Sequence, residues 1–316
     1  MKIVYITGCL GFMGSHTTRK VLEMGWEVCG VDKLTYAANP DYLEEFNKYP
    51  NFKFINSDIK DLKSLYDCDY VINFAAESHV GNSIIDSDEF ITSNIVGVKN
   101  LLELVRRKPH NCNDRPILFH ISTDEVYGDI EEGAHNEESI LNPSNPYSAS
   151  KAAADMLITA WARTYGIKYL ILRPTNNYGP GQYPEKLIPI SVKNLMRKKK
   201  IKLHNEGTPV RNWLHVEDTA EAVIKIVESG EVNQVYNVAG GFEQANVDTV
   251  RKIIKAFFGS EENWREHVDL SEVREGQDVR YAIDDTRLKE LGWKPLKEFD
   301  EEIVEIVKEV RNNWRW

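Results

Sequence analysis

The chain opens with "KIVYITGCLGFMGS" (2–15), an apolar strand that runs into Gly8, Gly11 and Gly14 and then into a helix. No other stretch limits the possible folds so strongly. A tight glycine turn between a buried strand and a helix begins a crossover unit, and parallel strands can only be joined by crossovers. The rest of the first half keeps this rhythm. "EVCGVD" (27–32), "FKFINSD" (52–58), "DYVINFAA" (69–76), "ILFHIST" (117–123) and "KYLILRPTN" (168–176) read as strands, and helical spacing runs over 12–25, 89–106 and 147–166. Nearly continuous apolar strands are those covered on both faces. The expected fold is therefore α/β, a Rossmann-type doubly wound parallel sheet over residues 1–176. At "NYGPGQYPEK" (177–186) the rhythm breaks into shorter elements. Residues 177–316 read as a smaller C-terminal substrate-binding lobe that returns some segments to the main sheet.

Composition narrows the function classes. A formal net charge of −10 argues against nucleic acid, whose phosphates need a basic face. The run "RKKK" (197–200) reads as a solvated helix end, where cations suit the negative pole. No apolar run reaches the roughly 20 residues of a membrane span. "MKIVYITG" enters a strand at once, leaving no room for a signal peptide, so a cytoplasmic address is expected. Cys9, Cys29, Cys68 and Cys112 show no CxxC spacing and suit reduced thiols, and no metal site is visible.

The glycine turn has a chemical reading. Glycines let the backbone approach a pyrophosphate, which then rests on the positive helix N-terminus. Asp32 ends the second strand, where its carboxylate can accept both ribose hydroxyls and repel a 2′-phosphate; NAD is expected over NADP. Asp58 ends the third strand and is a candidate for the adenine side or a helix cap. Tyr147 and Lys151 lie four apart, hence on one face of a helix. An ammonium beside a phenol stabilises the phenolate, making it a better base. With Ser122 and Thr123 upstream this describes a hydride-transfer site: Thr123 holds the reacting hydroxyl, Tyr147 takes its proton and NAD takes the hydride.

These motifs resemble the extended short-chain dehydrogenase/reductase (NAD-dependent epimerase/dehydratase) family and, within it, the dTDP-glucose 4,6-dehydratases. The similar segments are "VDKLTYA" (31–37), "AAESHV" (75–80), "STDEVYGD" (122–129), "NPYSASKAAAD" (145–155), "RPTNNYGPGQYPEKLIP" (173–189), "RNWLHVED" (211–218) and "RYAID" (280–284). The resemblance implies a catalytic set of Thr123, Asp124, Glu125, Tyr147 and Lys151. Oxidation at C4 of a hexose acidifies C5–H; Glu125 would remove that proton and Asp124 would protonate the departing C6 hydroxyl. It implies NAD contacts from Gly8, Gly11, Phe12, Met13, Gly14, Asp32, Lys33, Leu34, Thr35, Asp58, Ile59, Ala75, Ala76, Ser78, Ser93, Tyr147, Lys151 and Asn177. For the nucleotide-sugar partner it implies Ser78, His79, Thr123, Asn176, Lys186, Leu187, Arg211, Asn246, Arg274 and Asp278. It further implies a homodimer paired through the helices at 89–106 and 147–165. His215 and the helix beginning "VEDTAEA" read as structural, and Arg280 as an ion-pair residue outside the site.

Three departures bear on the nucleotide side. Gly81-Asn82 stand where Asp-Arg is usual, "EGQD" (275–278) where Pro-Gly-His-Asp is usual, and Asn212 where an Asp follows the diphosphate arginine. Two rivals to dTDP-glucose dehydration follow: a nucleotide-sugar 4-epimerase, which has no elimination for an acid pair to drive, and a 4,6-dehydratase acting on a UDP-sugar. A non-catalytic NAD-binding regulator would have no need of the tyrosine, lysine and both acids.

Overall fold

A computed structural model describes residues 1–108, 115–273 and 278–312. Its main sheet has seven strands: β1 (Ile3–Thr7), β2 (Glu27–Asp32), β3 (Phe52–Asn56), β4 (Tyr70–Asn73), β5 (Ile117–Ile121), β6 (Tyr169–Pro174) and β7 (Gln234–Val238). They stand in the order β7-β6-β5-β4-β1-β2-β3, and every neighbouring pair is parallel. The expected Rossmann-type sheet is therefore present. Its seventh strand comes from "QVYNV", deep in the second half of the chain.

Alternation along β1 shows how both faces are filled. Val4 and Ile6 pack with Val21, Leu22, Val223 and Ile226, on helices α1 (Phe12–Glu23) and α4 (Val216–Ser229). Tyr5 faces the other way, into a core with Leu101, Leu102, Ala154 and Ile158, on helices α2 (Val98–Arg106) and α3 (Pro146–Tyr165). Successive strand residues point to opposite faces, so a sheet covered twice reads as unbroken apolar sequence.

The strand order reverses between β1 and β4, and both strands end at the same edge as β5 and β6. In a doubly wound sheet this edge opens the crevice that takes ligands. A separate core of Tyr178, Ile188, Val192, Trp213, Ile253, Phe299 and Ile303 forms in the second half of the chain. A three-stranded sheet there pairs Glu243–Ala245, Val210–His215 and Asn176–Tyr178.

One element differs from its sequence reading. The expected helix over 89–106 contains a π-helical stretch, Ile91–Gly97, ahead of α2. The wider turn lets Asn94 reach out of the helix, where its amide donates to Ser150 Oγ (2.8 Å) and to the Glu77 carbonyl (3.0 Å). Ser93, in the same stretch, reaches the crevice. Such insertions often mark functional positions.

Candidate active site

The crevice edge carries a cleft of about 590 Å³, counted with the solvent space at its open side. Gly8, Gly11, Asp32, Lys33, Thr35, Asp58, Ile59, Ala75, Ala76 and Ser93, all expected cofactor residues, line it. The backbone shows why glycine is needed. Gly8 has φ +69°, and a Cβ there would lie 2.7 Å from the Ala75 nitrogen. At Gly14 it would lie 2.1 Å from the Gly8 carbonyl oxygen. Only bare backbone lets β1, α1 and the loop after β4 meet so closely, which leaves a cradle at the α1 N-terminus. Asp32 is buried; Leu34 N–H donates to its Oδ1 (2.8 Å) and Leu10 N–H to its Oδ2 (3.1 Å). These two bonds fix the carboxylate at the cleft wall, the geometry that suits a ribose diol. Lys33 donates to Ser93 Oγ at 3.1 Å and lies 3.5 Å from Asp58.

The octet after β5 becomes a short turn. Thr123 caps it: its hydroxyl accepts Glu125 N–H (3.3 Å) and donates to Asp124 Oδ1 (3.2 Å). Gly128, at φ +79°, ends the turn. The two neighbouring acids thereby enter different environments. Asp124 is buried, and its Oδ2 has no partner in the protein. Burial, then the charge of Glu125, pushes its carboxyl up to about 8. Burial also raises Glu125, but Arg211, Asn145 and Lys186 oppose that rise, with Asn145 Nδ2 3.4 Å from Oε2. Two adjacent carboxyls resist double ionisation, and here the more enclosed one keeps the proton.

Helix α3 supplies the other half. Asn145 accepts Ser148 N–H while Ser148 reaches back to the Asn145 backbone, a capping box with Pro146 at the helix start. Tyr147, in the first turn, and Lys151, one turn further in, are both buried. Lys151 Nζ donates to the Ile121 carbonyl (2.6 Å) and lies 3.2 Å from His120 Nε2. Burial pushes it down to about 8. The phenol is raised, chiefly by burial and then by the charge of Glu125, whereas the sequence reading expected it lowered. The reason is local. The ammonium is engaged below Tyr147 by β5, and the carboxyls stand nearby.

The family model described as GDP-mannose 4,6 dehydratase matches residues 5–306. The chain belongs to that family. A probable dTDP-glucose 4,6-dehydratase of Sinorhizobium fredii is 40% identical, the alignment covering 99% of this chain and 94% of the relative. A crystal structure of the dTDP-glucose 4,6-dehydratase DesIV from Streptomyces venezuelae, with NAD bound, has a TM-score of 0.91 at 35% identity and covers 99% and 98% of the two chains. A UDP-glucose 4-epimerase of Thermotoga maritima, solved with UDP-glucose, has a TM-score of 0.87 at 27% identity over 100% of both.

In this dehydratase-family chain the nucleotide-side residues come together from distant segments. Arg211 lies on the Tyr281 ring, 4.6 Å from its centroid, and donates to the carbonyls of Val210 (2.7 Å) and Asp278 (3.1 Å). The Asp278 carboxylate accepts from Ser144 (2.6 Å) and from the Tyr281 hydroxyl, which stands 3.5 Å from Glu125 Oε2. Lys186 donates to the Ser78 carbonyl at 2.9 Å. Asn176 keeps a buried Oδ1 without a partner, whereas Asn177 is tied to Thr175 and Thr219. His79 caps the helix Val80–Ile85 by accepting Asn82 N–H. Leu187 and Asn246 open helices of the lobe. Phe12 and Met13 begin α1, and Leu34 and Ser78 are exposed; none of the four is among the cleft-lining residues. Arg274 lies outside the described residues.

His215 caps α4, and Arg280 pairs with Glu243 at 2.8 Å, in agreement with their structural readings. Asn212, one of the departures, accepts Gly240 N–H at 3.0 Å, so an uncharged acceptor meets that need. Sequence reasoning missed Asn145, Tyr281, Glu77 and His120. Asn145 carried a readable signal, an Asn before Pro at a helix start. Glu77 and Tyr281 lie in the family-like segments 75–80 and 280–284 but have partners remote in sequence, and His120 carried no signal.

Proposed function

We propose that the chain catalyses NAD-dependent 4,6-dehydration of a nucleotide-diphosphate glucose, with dTDP-glucose as substrate, giving the 4-keto-6-deoxy sugar and water. The observation that carries this reading is the split acid pair at the end of β5: a buried Asp124 that holds its proton near neutral pH beside a Glu125 steadied by Asn145 and faced by Arg211. An epimerase needs Thr123, Tyr147 and Lys151 but has no use for such a pair.

The glycine cradle and Asp32 would hold NAD, which when bound would supply a reversible hydride acceptor beside the sugar. Thr123 orients the sugar's 4-hydroxyl, and Tyr147, whose raised phenol must first be ionised with the support of the Lys151 ammonium one helical turn away, accepts its proton. The resulting ketone acidifies C5–H. Glu125 then takes the C5 proton while Asp124, through its unpartnered oxygen, gives a proton to the leaving C6 hydroxyl. Glu125, after exchanging that proton with solvent, delivers a solvent-derived proton to C5 as the hydride arrives at C6. Arg211, packed on Tyr281, suits the diphosphate, with Lys186, Asn176 and Asn246 as further contacts.

The same reading makes residues 1–176 the NAD-binding unit and 177–316 mainly the substrate lobe. It also makes the assembly a cytoplasmic homodimer; exposed Ile91, Val96 and Met156 lie in the segments 89–106 and 147–165 and give that face its apolar character. Incubation with dTDP-glucose, UDP-glucose and UDP-N-acetylglucosamine tests the reading. A 4-keto product absorbing in strong alkali is expected, formed fastest from dTDP-glucose. Formation of dTDP-galactose alone would replace the proposal with the epimerase, and a faster UDP-sugar would correct the nucleotide.

A further inference from the structure

His120 is completely buried near the end of β5, and no step described above uses it. Its ring is gripped on both sides. Lys151 Nζ lies 3.2 Å from Nε2, and Asn73 Nδ2 lies 2.9 Å from Nδ1. Asn73, at the end of β4, accepts the Thr7 hydroxyl on its Oδ1 at 2.5 Å, and Thr7 Oγ1 accepts Ala75 N–H at 3.5 Å. Four buried side chains from β1, β4, β5 and α3 thus run beneath the cleft floor, from the residue before Gly8 to the lysine of the Tyr147 helix. The other charged groups facing the ring are Asp155, with Oδ1 4.0 Å from Nε2, and Arg173.

Proton counting fixes the state of this chain. A neutral imidazole carries one N–H and one lone pair, whereas an ammonium only donates. Burial, Lys151 and Arg173 all push His120 well below the ordinary histidine value, so the ring is neutral. Nε2 must then offer its lone pair to Lys151, and the hydrogen must sit on Nδ1. That N–H needs an acceptor. Asn73 provides it when its amide is turned by half a rotation from the placement just described, carbonyl oxygen to the ring and NH₂ to the Thr7 oxygen; the two ends of an amide have the same shape. The opposite arrangement points an N–H at the ammonium, which is tolerable only if Lys151 has lost its charge.

We propose that His120, held in the Nδ1–H tautomer by Asn73 and Thr7, is the side-chain acceptor that keeps the Lys151 ammonium charged and in place below Tyr147. His120 is thus a positioning residue for proton removal from the sugar. The inference rests on the roles given above to Tyr147 and Lys151. Without the imidazole the ammonium keeps the Ile121 carbonyl as its hydrogen-bond acceptor in a dry site, where an uncharged amine is favoured.

Two measurements test it. In protein labelled with ¹⁵N-histidine, the resonance that disappears in His120→Gln should report a neutral Nδ1–H ring between about pH 6 and 8, below and around the ordinary histidine range. An imidazolium or an Nε2–H ring there overturns the proposal, whatever the substrate proves to be. In stopped-flow measurement of NADH formation, His120→Leu should slow the oxidation about 10- to 100-fold, a typical share of general-base catalysis. Its alkaline limb should move down by about one pH unit. His120→Gln, whose amide oxygen can accept at the position of Nε2, should restore the limb and most of the rate. A rate loss in His120→Leu with an unmoved limb, or no recovery with Gln, overturns the proposal. Absence of NADH formation in the unmodified protein with every nucleotide-glucose would instead remove the function reading and leave the tautomer result standing.

Discussion

The two sides of the cleft are built in different ways. The cofactor side comes from the ends of adjacent parallel strands: Gly8 follows β1, Asp32 ends β2 and Ala75 follows β4. Each carrier of function lies within a few residues of the strand that places it. The sugar side is assembled across the chain. Glu125 meets Asn145, and the Tyr281 hydroxyl, 156 residues away, stands between Glu125 and Asp278. Arg211 binds the same cluster through the Tyr281 ring and the Asp278 carbonyl. The first side is a rigid cradle, set by sheet geometry. The second is a network of charges whose behaviour depends on every member, so substitutions on the two sides should fail in different ways.

Tyr147→Phe should give the largest effect, about 10³- to 10⁴-fold loss of turnover with no NADH signal, because no base remains for the first step. Stopped-flow absorbance checks this, and a visible NADH phase would break the assignment. Glu125→Gln should lose about 10²- to 10³-fold overall yet still reduce bound NAD, since only the second step needs the carboxylate. Rapid quench should find the 4-keto hexose with its C6 hydroxyl intact. Full turnover by this variant would remove Glu125 as the C5 base. On the cofactor side, Asp32→Asn should weaken NAD binding about tenfold while leaving the Kd for the nucleotide product unchanged, which calorimetry can separate. Equal loss of both ligands would deny that the two sides are independent.

The acid pair also gives a pH profile. Asp124 must be protonated and Lys151 charged, and both lose their proton as pH passes about 8, so turnover should fall on the alkaline side of that value. Stability follows the same sign. A carboxyl whose folded pKa lies above its unfolded value near 4 penalises folding increasingly as pH rises towards about 8. Asp124→Asn should therefore melt at a higher temperature than the unmodified protein, by a margin that grows from acid to pH 8. A constant margin across that range would contradict the buried, proton-holding Asp124. The smallest effect should come from Arg280→Met. That half-exposed pair with Glu243 contributes no more than about 1 kcal/mol, and turnover should be unchanged.

The contrast also explains how far the sequence could be read. Glycine spacing, strand ends and the Tyr147–Lys151 interval are local patterns, and the sheet, the cradle and the acid turn follow from them. Roles on the sugar side, Arg211 and Lys186 among them, entered only through long motifs shared with a family, because nothing local marks which distant loops will meet. The π stretch at Ile91–Gly97 has the apolar spacing of an ordinary helix, so the displacement of Ser93 and Asn94 was hidden. The direction of the Tyr147 shift was also missed. A Lys four residues along shares its face of the helix, but spacing says nothing of the His120 and Ile121 acceptors that engage the ammonium from β5.

The account stands on one chemical sequence: oxidation at C4, proton removal at C5 and loss of water from C6. Conversion of dTDP-glucose in heavy water, with the product examined by mass spectrometry and proton NMR, follows that sequence directly. The expected product has lost one water and carries a single carbon-bound deuterium at C5. A product that retains its C6 hydroxyl and carries no deuterium would contradict the account.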